Sequence, residues 1–527
     1  MQYRFAQANV EVTGNPRWAA AFGSGLVGLY VQDNFSIRDR LNLTFGLRMD
    51  IPLFFDTPAE NVPFNEYMIS KGLKYKTDSR LNSKLLFAPR IGFRWDICGN
   101  NRYILRGGTG IFTGRIPYVW LSNNFSNTGI QLSVYNVSNS TNHPETTQNI
   151  EFILDPGKQT QNAERLTASG SQTINVFDKD FRLPQDLRTD IALDFTLGSI
   201  QWTAEAIYSK KLNDIAYQNL AVDLNGKTLG ETIPSLGFDH RPMLSKVEGA
   251  ENYTGIYALT NTGKGYHYNL SLTGKKKFDF GLDAVFSYTY MKSMSQNNGS
   301  SSVAQSNWQY NYTYRNPNRA ELAKSAYNIP HSLRASVFYT RKWHTDRSTT
   351  IGLVYNGNSG IAYNVCYNGD LNGDTGYNDL IYIPTDAEVD RMSFTATSDF
   401  SCDQQYTIFK AWLRNDEYMK KHRGEYFKRN AGNEKMEHHF DLHLSHNIRF
   451  MLGKIKRGLE LSVDIINIGN MLNREWGRTS ASYGYYNPIN YKGEGHFQFL
   501  HHADYKMRSY NDYYSRWRGQ IGVRFIL

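Results

Sequence analysis

Leu41 to Met49 reads LNLTFGLRM. Leu41, Leu43, Phe45, Leu47 and Met49 fall on one face of an extended chain, and Asn42, Thr44, Gly46 and Arg48 on the other. A period of two fits a strand and not a helix. The pattern returns in IALDFTL, where Ile191, Leu193, Phe195 and Leu197 oppose Ala192, Asp194 and Thr196. It returns again in LDAVFSYTY, where Leu282, Ala284, Phe286, Tyr288 and Tyr290 oppose Asp283, Ser287 and Thr289. Further copies start at Tyr266, Ile351, Phe440, Leu459 and Ile521. Roughly fourteen to sixteen such segments of about ten residues are expected, the length of a tilted membrane-spanning strand. The expected fold is all-β, a large antiparallel sheet.

The apolar faces either pack on one another in soluble sandwiches or meet lipid outside a barrel. The polar faces carry Arg48, Arg94, Asp194, Glu205, Glu460, Asp464 and Arg524. An Arg on the lipid face at mid-bilayer costs about 2 to 4 kcal/mol, so these positions must face water. Tyr30, Trp95, Trp202, Tyr288, Tyr290, Trp343 and Trp517 lie in or at the ends of strands, where an interfacial aromatic girdle is expected. Short turns near Cys98 to Arg102 and Phe278 to Gly281 contrast with long polar stretches at Phe54 to Lys84, Gly114 to Gln185, Leu212 to Gly263, Met294 to Ile329, Asn356 to Glu437 and Asn470 to Ser515. Short turns on one rim and long loops on the other are the pattern of an outer-membrane barrel.

Composition agrees. The 527 residues are 40% hydrophobic yet 14% aromatic, with 36 Tyr and 29 Phe. That pairing opposes disorder, and no apolar run is long enough for a membrane helix. The net charge of +9 is dispersed rather than gathered into a nucleic-acid patch. Cys98, Cys366 and Cys402 match no disulfide or zinc framework. The N-terminal MQYRFAQANVEV lacks the basic and apolar regions of a signal peptide, which by itself reads as a chain that is not exported.

Asp370, Asn372 and Asp374 stand at the one, three, five spacing of a calcium loop. Thr375 and Ile381 replace the Gly and bidentate Glu that an EF-hand needs at positions six and twelve. A calcium clamp by Asp370, Asn372, Asp374 and Asp379 stands against a turn that uses Asn, Asp and Gly for left-handed backbone. GSGLVG, Gly23 to Gly28, matches a dinucleotide fingerprint in spacing but runs into a strand; small residues facing a crowded lumen account for it better. Gly226 to Thr228 reads as a turn. His438 with His439 and His501 with His502 alternate faces, so neither pair chelates by itself. The Tyr-rich stretches SYGYYNPINY from Ser482 and SYNDYYSRW from Ser509 offer rigid rings with hydrogen-bonding tips, and Tyr485, Tyr486, Tyr513 and Tyr514 are the candidate ligand contacts. No arrangement of nucleophile, acid and base stands out, so no enzyme and no other cofactor is expected.

LYVQDNFSIRDRLNLTFGLRMD, FAPRIGFRWD, YILRGGTGIFTGRIPYVWLSN, RNPNRAEL with NIPHSLRAS, DLNGDTGYNDLIYIP and DIINIGNMLNREWG together resemble the barrel of TonB-dependent outer-membrane receptors, most closely the Oar-like branch, from about Gly25 to the C-terminus. The resemblance implies import of a scarce, bulky nutrient (siderophore, vitamin, peptide or oligosaccharide) across the outer membrane of a Gram-negative bacterium, through part of a 22-stranded barrel. It also implies outer-membrane lipid, the barrel assembly machinery and the TonB complex as partners, the last through a plug, and it places the Asp370 segment in an external loop. Signal peptide, TonB box and plug are missing ahead of Met1, so residues 1–527 are expected to be the C-terminal barrel portion of such a receptor. Leu527 stands where many such barrels end in an aromatic, with Phe525 on the same face. The alternatives are a passive pore or surface adhesin, and a soluble β protein that binds calcium and glycans.

Overall fold

The computed structural model describes residues 2–138, 154–155, 172–481, 484–502 and 505–526. Its largest unit is a sheet in which thirteen strands follow one another as antiparallel neighbours in chain order. They are β1 (Ser24–Ile37), β2 (Leu41–Phe54), β3 (Leu86–Asp96), β4 (Tyr103–Thr113), β5 (Gln185–Leu197), β6 (Ile200–Asn219), β7 (Gly265–Lys277), β8 (Leu282–Ser295), β9 (His331–His344), β10 (Arg347–Asn358), β11 (Glu437–Leu452), β12 (Ile455–Ile466) and β13 (Arg518–Ile526). Gly198-Ser199, Thr345-Asp346 and Gly453-Lys454 make two-residue turns, while the described residues of 55–85, 114–184, 220–264, 296–330, 359–436 and 467–517 lie in the long connections at the other rim. Among the described residues, the outer edges of β1 and β13 have no partner strand.

Register fixes the two faces. Leu270 stands opposite Tyr290 and Ala206, and Leu193 opposite Leu105 and Ala204. On the alternate face Glu205 stands opposite Ala192 and Ser271, and Asp464 opposite His443 and Gln520. Leu29, Leu47, Leu272, Leu353, Leu461 and Val523 are exposed on the apolar face. Left in water, each such side chain forfeits about 1.5 to 3 kcal/mol of burial, so this face calls for an apolar solvent. The backbone ladder satisfies the polar groups within the sheet, which is what hydrocarbon demands.

The girdle residues separate. Trp95, Trp202 and Trp343 stand on the apolar face beside the short turns, and Tyr288 and Tyr290 toward the loop rim, where Tyr290 packs on His331 at 5.5 Å. Tyr30 instead shares the polar face, opposite Arg48. β6 runs past Leu212 to Asn219, and its last turn-ward residues pair with the strand Tyr253–Thr262 above the sheet. Leu527 lies outside the described residues; Phe525 is on the apolar face, in register with Leu459.

Candidate functional site

The polar face is built from ion pairs and side-chain hydrogen bonds between neighbouring strands. Arg106 on β4 bonds Asp194 on β5 at 3.0 Å and Glu205 on β6 at 3.3 Å. Lys211 meets Asp186 at 3.1 Å, His443 meets Asp464 at 2.6 Å, and Arg524 meets Glu460 at 3.5 Å. Gly28 belongs to this wall: a Cβ there would collide with the Arg48 guanidinium and come within 2.9 Å of Asp50 Oδ1. The GSGLVG stretch is therefore strand with a small residue at a crowded point, as its sequence suggests.

Above the sheet the long connections fold on their own cores. The helix α1 (Val62–Ser70) is capped by Asn61, whose side chain accepts from Phe64 N, and buries Phe64 and Met68 against Ile174 and Ile256. A second helix, α2 (Tyr118–Ser126), places Leu121 and Phe125 beside Trp308 and Tyr257. The third, α3 (Cys402–Asn415), starts with a capping box of Ser401 and Gln404. It buries Gln405, Phe409, Trp412 and Leu413, one face at helical spacing, against Phe427, Phe497 and Phe499. Arg429 locks two loops together. Its guanidinium is buried and donates to the carbonyls of Ser295, Gln296 and Glu321 and to Asn311 Oδ1. Burial pulls its pKa down to about 10.

Beside α3 lies a cavity of about 550 Å³ lined by Trp412, Asp416, Lys435, Arg478, Tyr505 and Arg508, among others. A neighbouring one of about 650 Å³ shares Lys435, Arg478 and Tyr510 and reaches Trp476. Lys435, Arg478, Lys506 and Arg508 outnumber Asp416 and Glu417 along the first wall. Sequence reading missed this cleft because its lining is spread from Ile408 to Tyr510 and no local motif joins the pieces.

The candidate tyrosines do not form one surface. Tyr485 packs on Tyr312 at 5.6 Å, and Tyr486 lies edge-on to Tyr363 and donates its hydroxyl to Glu434 at 2.5 Å. Tyr513 and Tyr514 are exposed, edge to face at 5.3 Å, with Arg518 over the Tyr513 ring. Ser482 and Tyr483 lie outside the described residues. His438 and His439 point to opposite faces, to Tyr355 and toward Thr479. Gly226 to Thr228 is not a turn but the end of the strand Val222–Thr228, where Gly226, at φ 80°, lies in a bulge between Leu224 and Thr228.

The Asp370 loop is the most condensed polar feature. Asp370 accepts from the backbone N–H groups of Gly373, Asp374 and Thr375, and Asp374 Oδ1 accepts from Gly376 N at 2.6 Å. Thr375 takes φ 67°, the left-handed conformation that a calcium loop gives to glycine at this position. Ile381, at position twelve, is core. Asp379 is committed elsewhere: Oδ1 accepts from Arg241 Nη1 at 3.1 Å and Oδ2 from Leu371 N at 2.8 Å. Arg241 is fully buried and shared with Asp239, and these carboxylates hold it charged against its burial. Burial and the nearby Asp379 and Asp370 push the Asp374 carboxyl up to about 8, whereas Arg241 limits Asp379 to about 6 against its own burial. Among the described residues, no three His, Cys, Asp or Glu side chains are gathered as a metal shell.

An antiparallel meander with an apolar face, an ion-paired face, aromatic ends and rims of unequal loop length defines the wall of a membrane β-barrel. The chain belongs to the outer membrane beta-barrel domain family, whose model matches residues 10–485. It is thus an outer-membrane protein of Gram-negative type, and the soluble calcium- and glycan-binding alternative is set aside. Solved structures similar to it include the outer membrane transporter YddB from Escherichia coli, at 13% identity and TM-score 0.47 over 95% of this chain and 45% of that one. Others are the ferric enterobactin receptor PfeA from Pseudomonas aeruginosa, at 11% identity, TM-score 0.39, 85% of this chain and 40% of that one, and the siderophore receptor PirA from Acinetobacter baumannii, at 8%, 0.39, 85% and 42%. The chain spans less than half the length of these proteins. No curated protein matches it significantly.

Proposed function

We propose that this chain is the C-terminal barrel portion of a TonB-dependent receptor of the Oar-like branch, which imports a bulky nutrient and carries out no catalysis. The observation that carries the reading is the thirteen-strand wall, with both edges unpaired among the described residues and a charged inner face. An open edge in lipid leaves a row of backbone groups unsatisfied, so further strands must close it, and a barrel of that size encloses a lumen that needs a plug. External loops with their own cores fit capture of a ligand before passage, and the Lys435, Arg478, Lys506 and Arg508 cleft favours an anionic one.

Planar-bilayer recording on the native protein, extracted from outer membranes in detergent, tests this. A plugged receptor gives no steady conductance until urea loosens the plug. Stable open steps without urea would favour the passive pore.

A further inference from the structure

We propose that the loop from Asp370 to Asn378 is a calcium site whose ligands are the carboxylates of Asp370 and Asp374 and the amide oxygens of Asn372 and Asn378. Two independent features meet there. The first is charge: the nearest buried cation, Arg241, is ion-paired with Asp239 and Asp379, while Asp370 and Asp374 have no ion-pair partner among the described residues. Asp374 is fully buried, and its polar partners are the Gly376 amide and the Asn372 side chain at 3.3 Å, neither of which carries a charge. A buried carboxylate without a cation is costly to ionise.

The second is an orphan. Asn378 is fully buried, yet neither its Oδ1 nor its Nδ2 has a hydrogen-bond partner. Its amide is aimed at the same place as Asp374: a Cβ built on Gly376 would lie 2.7 Å from Asp374 Oδ1 and 3.0 Å from Asn378 Nδ2. Turning the amide about its last torsion presents oxygen there instead of nitrogen. Two carboxylates with two amide oxygens on a tight turn are a hard-cation donor set, and calcium tolerates its irregular geometry where magnesium demands an octahedron. Asp379 stays outside the shell because its charge is already paired with the Arg241 guanidinium. The donor set holds only two carboxylates, consistent with the lack of a three-acid cluster.

The test is calorimetric titration of calcium chloride into the native detergent-solubilised protein after EGTA treatment and desalting, beside Asp374→Asn and Asn378→Leu. One equivalent of calcium is expected to bind, at least tenfold more tightly than magnesium, with affinity reduced tenfold or more in each variant. Terbium luminescence, excited through tyrosine and displaced by calcium, gives a second readout on Asn378→Leu should Asp374→Asn fail to fold. Absence of calcium heat in the parent protein, or heat and terbium signal unchanged in Asn378→Leu, would overturn the site.

Discussion

At the scale of single residues, the two faces of one strand make opposite predictions from adjacent positions. Leu272 is exposed on the apolar face of β7 and Ser271 stands opposite Glu205 on the polar one. Arg at 272 is expected to cost about 2 to 4 kcal/mol of folding free energy in bilayers and Arg at 271 less than about 1 kcal/mol; reversible urea unfolding in lipid vesicles measures both. The same logic let the sequence place Arg48, Asp194, Glu205 and Asp464 correctly, because each sits between clean apolar neighbours. It failed at Tyr30, where Leu26, Val27, Leu29 and Val31 make both faces apolar and the period loses its phase. The Asp374 carboxyl makes a pH prediction. Raised from an ordinary value near 4 to about 8 in the fold, it holds a proton in the native state that the unfolded chain has released. Without calcium, stability is therefore full below pH 4 and falls as pH rises toward 8. Asp374→Asn is expected to flatten that slope in thermal melts from pH 5 to 8, and added calcium to reverse it, since metal and proton compete.

At the scale of elements, the short turns and strands were legible because periodicity and glycine positions are local signals. The loop architecture was not, since its cores join residues from distant connections, as Leu229, Phe409 and Phe497 do. One element had a readable start: Ser401 with Gln404 is a capping box, followed by Gln405, Phe409 and Trp412 at helical spacing. The segment after β12 turns on Asn467, which adopts φ 56° and donates to the carbonyls of Gly477 and Ser515 at 2.8 and 2.9 Å. Gly477, at φ 62°, has no room for a Cβ against the Asn467 amide. Gly477→Ala is expected to cost about 2 kcal/mol or more through combined strain and clash, against about 1 kcal/mol for Gly226→Ala, whose left-handed position in a strand bulge is open. Melting of the two variants beside the parent protein gives the ranking.

At the scale of the molecule, a wall whose two edges are free among the described residues sets the expectation that these residues work inside a longer polypeptide or with a partner chain. An antibody to the 484–491 segment should find, in purified outer membranes, a protein well above 60.5 kDa. A band at 60.5 kDa would mean that the chain closes with a separate partner or serves as a passive remnant. The central claim, that β5 to β8 form a transmembrane wall with lipid on one side and a polar lumen on the other, has a direct test. Nitroxides are placed one at a time at residues 268 to 273, with Cys98, Cys366 and Cys402 replaced by Ser, and collision with oxygen and with a water-soluble nickel complex is read in lipid vesicles. Oxygen accessibility should peak at 268, 270 and 272 and fall at 269, 271 and 273. A profile without the period of two, or nickel access highest at the even positions, would contradict the account.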